Sequence, residues 1–160
     1  MFEKFGEMGS AEEINLLAGN LLKEGDKESL FSLAKENGIS DYDVEDLIDG
    51  ETTELCTVLT AAIGKLELEE EALGLKELMK DWSEWIKAEC VKDTEFAKAV
   101  RKNGKRLSGA LGAVLKKSWE IKFDIPEEIV KAAGIGSAKV QFGVPGTGTL
   151  RKIVKEYYGR

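Results

Sequence analysis

The feature that most constrains this chain is an apolar period of helical length that restarts after nearly every glycine. Ser10 and Glu13 have the spacing of a capping box, and Ile14, Leu17, Ala18, Leu21 and Leu22 then recur at i, i+3, i+4, i+7 and i+8. Gly25 closes that helix, and Asp26 caps a second that presents Leu30, Phe31, Leu33 and Ala34 before Asn37-Gly38. Ser40 with Asp43 opens a third, which turns Leu47 and Ile48 inward and stops at Gly50. A fourth is expected from about Thr53, with Leu55, Cys56, Leu59, Ala62 and Ile63 on one face. The longest helical pattern covers 66–91, with Gly74 as its candidate break. Its stripe of Leu75, Leu78, Met79, Trp82, Trp85, Ile86 and Cys90 reads as a central core helix rather than a peptide groove, because such stripes are how helices bury area.

The second half continues in the same manner. A short helix over 94–103 turns Phe96 and Val100 inward and ends at Gly104; Leu107, Leu111, Val114, Leu115 and Trp119 then mark a basic helix. Asp124 and Pro126 start another that Gly134 ends, and a last one over 149–158 carries Ile153 and Tyr157 on its apolar side. Val140 to Val144 is the one strand candidate, and a single short strand cannot form a sheet unless it pairs with an edge elsewhere. With two prolines and no repeat, low-complexity tract or linker, the expectation is a mainly α, compact multi-helix domain over 1–160. It would hold at most one short β element near 139–144, an acidic helical part over about 1–65 and a mixed or basic part over about 66–160.

At 42% hydrophobic the chain can build a core, while 33% charged residues exceed the roughly 25% of an average chain. No run of about 18 apolar residues offers a membrane span, and the N-terminus lacks the basic start and apolar run of a signal peptide. Cys56 and Cys90 have no ligand spacing and read as core thiols of a reducing compartment, so the cytoplasm is expected. Histidine is absent, which removes the commonest general base and the commonest metal ligand together. No enzyme activity, cofactor or metal is expected.

Charge is distributed unevenly. Residues 1–80 carry 20 acids and 7 bases, a net −13, whereas 81–160 carry 10 acids and 16 bases, a net +6. Between 36 and 54 lie eight acids and no base, among them Asp41, Asp43, Glu45, Asp46, Asp49, Glu51 and Glu54. This stretch reads as a solvated helix face, or as a surface that imitates nucleic-acid phosphates or docks on a basic groove. It lacks the glycine a calcium loop needs at position six, where Asp46 stands. Between 98 and 122 lie eight bases and one acid. Arg101, Lys102, Lys105 and Arg106, with Lys116 and Lys117, either pair with acids of the first half or contact a phosphate backbone. Glu67, Glu69, Glu70 and Glu71 read as a solvated helix face. Gly143 to Gly148 has the glycine spacing of a phosphate loop, but Thr149 replaces its lysine, so a turn with Thr149 as helix cap is expected over an anion site.

A resemblance sharpens the functional expectation. Ala99-Val-Arg-Lys-Asn-Gly-Lys-Arg-Leu-Ser-Gly-Ala-Leu-Gly-Ala-Val-Leu115, Ile129-Val-Lys-Ala-Ala-Gly134, Val140-Gln-Phe-Gly-Val-Pro-Gly146 and Lys152-Ile-Val-Lys-Glu-Tyr-Tyr158 follow one another in the C-terminal half. Together with Met1-Phe-Glu-Lys-Phe-Gly, Ala34-Lys-Glu-Asn-Gly-Ile39 and Asp46-Leu-Ile-Asp-Gly50, they resemble the PcfK-like group of phages and conjugative elements of Firmicutes. Anti-CRISPR inhibitors of the type II effector nuclease are recognised within that group. Many members carry cysteine where this chain has Ala110, which argues against a thiol function there. The resemblance implies a mobile-element protein of a bacterial cytoplasm that inhibits an RNA-guided type II CRISPR effector by stoichiometric, non-enzymatic protein–protein interaction. The acidic residues from Asp41 to Glu54 are the expected partner-binding face. The alternative is a nucleic-acid-binding or accessory protein of a conjugative element, which would use the six bases named above.

Overall fold

A computed structural model describes residues 4–136 and 139–159; the first three residues of the N-terminal signature lie outside them. The chain is mainly helical. Helix α1 (Ala11–Glu24) begins at Ser10, whose hydroxyl accepts from the Glu13 N–H, and Glu13 reaches back to the Gly9 N–H. Helix α2 (Lys27–Glu36) is capped by Asp26 and α3 (Asp41–Asp49) by Ser40. Gly25 and Gly50 end their helices at φ 73° and 79°, a region glycine enters at little cost.

Helix α4 (Val58–Leu73) starts five residues later than its apolar pattern suggests. Asn15 holds the Cys56 backbone by two hydrogen bonds, donating to its carbonyl at 2.8 Å and accepting from its N–H at 3.0 Å. Leu55 and Cys56 are therefore buried from a connection, and Thr57 caps the helix. Gly74 does break the long pattern, and α5 (Glu77–Lys92) follows. On its stripe Trp82, Ile86 and Cys90 are buried, but Leu78 and Met79 are exposed.

Helices α6 (Thr94–Arg101), α7 (Leu107–Glu120), α8 (Glu127–Ala132) and α9 (Thr147–Tyr158) complete the set. The strand expected near 140 is present as β2 (Gln141–Phe142), and its partner is β1 (Phe123–Asp124). The two are antiparallel, with Phe123 opposite Phe142 and Asp124 opposite Gln141. Helix α9 starts after Gly146, so Thr149 lies inside its first turn rather than capping it. The N-terminal end of α7 meets the C-terminal end of α9, since Tyr157 Oη accepts from the Arg106 N–H at 3.0 Å. These two helices are antiparallel neighbours, and Gly143 packs its backbone against the Ser118 carbonyl at their other end.

Two apolar clusters share α4. One gathers α1, α2 and α3 with Leu55, Cys56 and Ala61; the other gathers α5, α6, α7 and α9 with Ala62 and Leu66. Successive residues of α4 thus face different clusters, so this helix is apolar on more than one side and its start is hard to read from a one-faced period. Among the described residues no helix is long and apolar enough to cross a membrane.

Candidate functional site

Helix α3 and the turn after it build the acidic face. Val44 and Leu47 are buried, which fixes the rotation of a two-and-a-half-turn helix and sends its other residues outward. Asp41, Glu45, Asp46, Asp49, Glu51 and Glu54 are exposed and Asp43 is half-buried. None of these seven carboxylates pairs with a lysine or arginine among the described residues. Tyr42 stands among them at 78% exposure, a ring the charge pattern did not point to. The helix runs unbroken from 41 to 49, where a calcium loop would have to turn. A cavity of about 400 Å³ lined by Glu12, Asn15, Leu16, Glu54 and Cys56 lies beside the face, and burial raises the Cys56 thiol pKa to about 12.

The basic cluster is not one surface. Arg101 is 1% exposed and cannot meet a phosphate backbone in this fold. It is turned inward from α6, donating to the Met8 carbonyl at 3.0 Å, the Ala61 carbonyl at 3.1 Å and the Asn37 side-chain oxygen. Burial pushes its pKa down. Arg106 pairs with Glu7 at 2.8 Å and Glu69 at 3.4 Å. Lys105 donates to the Tyr157 carbonyl at 2.6 Å, and Lys117 pairs with Glu120 at 3.1 Å. Only Lys102 and Lys116 of the six expected contacts are exposed and without a charged partner among the described residues.

The acids that neutralise Arg106 come from the first half, though not from 36–54. Glu7 binds Lys65 at 3.0 Å as well as Arg106. Burial favours protonation of Glu7, but Lys65, Arg106 and the Gly104 N–H outweigh it and hold the carboxyl below its ordinary value. Burial likewise pulls Lys65 below its ordinary value, and its bond to Glu7 opposes this. Glu69 and Glu70 are not the solvated residues expected from their run of glutamates. Glu69 is buried and accepts from the Leu107 N–H at 2.6 Å, capping α7 from another helix because Arg106 provides no side-chain cap. Glu70 binds Lys87 at 2.9 Å and Ser83 at 2.9 Å. Lys65, Asn37 and Glu7 are thus structural groups that sequence reading missed; the only available signal was a lysine set among Ala61, Ala62, Ile63, Gly64 and Leu66.

Among the described residues no cysteine and carboxylate cluster could hold a metal ion. A cavity of about 680 Å³ lies between α8 and the β-ribbon, lined by Ile125, Val130 and Val140 with the Lys139–Asp124 pair at its rim. Compared with protein-family models, curated proteins and solved structures, the chain matches none of them. Asp41 to Glu54 thus form an outward acidic face with no basic partner among the described residues.

Proposed function

We propose that this protein is a stoichiometric, non-catalytic binder whose acidic face occupies a positively charged nucleic-acid channel of a type II CRISPR effector nuclease, as an anti-CRISPR protein of a mobile element in a bacterial cytoplasm. One observation carries the reading: seven carboxylates on α3 and the following turn, from Asp41 to Glu54, have no basic partner among the described residues. Leaving so many like charges adjacent costs stability through mutual repulsion, and an opposite surface on a partner would relieve it. RNA-guided effectors hold their heteroduplex in such a channel. Tyr42, exposed amid the carboxylates, has the character of an interface anchor, since tyrosine is enriched at binding hot spots. The family resemblance points to the same partner.

The test is target cleavage by guide-loaded type II effectors with increasing amounts of the protein. Cleavage should fall to completion near equimolar ratio and recover as salt rises. The quadruple variant Asp41→Lys, Glu45→Lys, Asp46→Lys, Asp49→Lys should lose inhibition while keeping its helical circular dichroism. Undiminished cleavage at large excess across a panel of such effectors would overturn the proposal.

A further inference from the structure

The acidic face leaves the opposite chemistry unexplained at the C-terminal end of α7. Trp119 is 73% exposed in the last turn of that helix, and Phe123 and Phe142, each 51% exposed, meet edge to face at 6.4 Å. The two phenylalanines are a directly opposed cross-strand pair, so both rings stand on one side of the ribbon. Gly143, immediately after β2, has its backbone against Ser118 and Lys122, which fastens the ribbon to the end of α7 beside Trp119. Amines accompany the rings. Lys122 lies over the Trp119 ring, Lys116 is exposed one turn earlier, and Lys139 flanks the ribbon. The acids here are already claimed, Glu120 by Lys117 and Asp124 by Lys139. The unclaimed charge at this end is positive.

We propose that Trp119, Phe123 and Phe142, with Lys116 and Lys122, form a binding site for single-stranded nucleic acid. Exposed rings offer flat faces on which unpaired bases stack, and the amines beside them meet the phosphates between those bases. A duplex hides the base faces and cannot use the rings. The acidic face of a second copy would satisfy the amines but brings one exposed ring, Tyr42, against three. This site is separate from the acidic face and stands whether or not that face binds a nuclease.

Fluorescence anisotropy with labelled 20-mer oligothymidine and oligouridine at low salt tests it. Saturable binding is expected, weakening as salt is added, with a duplex of equal length binding more weakly. Trp119→Ala should weaken binding roughly 5- to 150-fold, the range of one lost stacking contact. Phe123→Ala with Phe142→Ala should do the same, and Lys116→Glu should lower the salt dependence. Circular dichroism checks that Trp119→Ala and Lys116→Glu leave the helices intact, and these two alone keep the test valid if the ribbon variant unfolds. Absence of saturable binding overturns the proposal, as does binding indifferent to Trp119→Ala and to strandedness. Self-association in sedimentation that Trp119→Ala abolishes, without oligonucleotide binding, assigns the rings to a protein contact instead.

Discussion

Three buried acceptors converge on the Arg101 guanidinium: the carbonyls of Met8 and Ala61 and the side-chain oxygen of Asn37. The side chain draws the N-terminal segment, α2 and α4 onto α6, and each acceptor would be stranded without it. A buried unsatisfied acceptor costs about 1–3 kcal/mol, so Arg101→Met should lower unfolding stability in urea by at least about 3 kcal/mol. The neighbouring Lys102→Met removes an exposed amine and should change it by less than about 0.5 kcal/mol. Glu7 gives a pH-dependent counterpart. Its folded pKa lies below the ordinary 4.5, so the folded state holds that proton less tightly than the unfolded chain. The stabilisation is fully present above 4.5 and is lost as pH falls through the lowered folded value. Melting temperature followed downward from neutral pH should therefore drop less steeply for Glu7→Gln. The remaining slope includes Glu70 and Glu89, whose pKa values are also lowered: burial raises each, and Lys87 and Lys155 respectively outweigh it.

Helices were legible wherever one apolar face and a local cap coincide, as at Ser10, Asp26 and Ser40, because those signals lie within a few residues of each other. They failed where the controlling contact is distant in sequence. Asn15 delays the start of α4 from 41 residues away; the start of α7 at Leu107 was legible from its apolar period, but its cap, Glu69, lies 38 residues away and was not. The β1 partner of β2 was invisible because two residues, Phe123 and Asp124, show no alternation. The acidic face was legible as a charge run, since short exposed helices leave their charges outside; the basic run was not, because residue type alone cannot tell Arg101 from Lys102. Packing between elements makes a sharp prediction at Gly64. Alanine inside a helix normally gains about 0.5–1 kcal/mol over glycine, and Gly19→Ala in α1, with open space around its position, should show that gain. A methyl at Gly64 would sit 2.5 Å from the carbonyl oxygens of Asn37 and Gly38, backbone that cannot swing aside. Overpacking of this kind costs about 1–3 kcal/mol, so Gly64→Ala should destabilise despite its better helix propensity, and paired thermal melts should shift in opposite directions.

Across the whole molecule the question is why −13 on one half and +6 on the other do not simply cancel. They cancel where the halves touch: Glu7 and Glu69 meet Arg106, and Glu70 meets Lys87. Residues 41–54 take no part, so the surplus negative charge is concentrated on a face already turned to solvent. A field of that kind accelerates encounter with a cationic partner more than it tightens the final complex. Replacing Asp41, Asp49, Glu51 and Glu54 by their amides moves the net charge from −7 to −3 while breaking no ion pair. Folding stability should change little, because the repulsion removed is offset by losing the favourable charge of Asp41 in the first turn of α3. The association rate with a guide-loaded effector, read by stopped-flow fluorescence, should fall by at least about tenfold at low salt and lose most of its ionic-strength dependence. Dissociation should change less, since exposed rim charges act chiefly on encounter. An unchanged association rate with a large rise in dissociation would mean that these carboxylates are desolvated anchors buried in the complex rather than the source of a steering field.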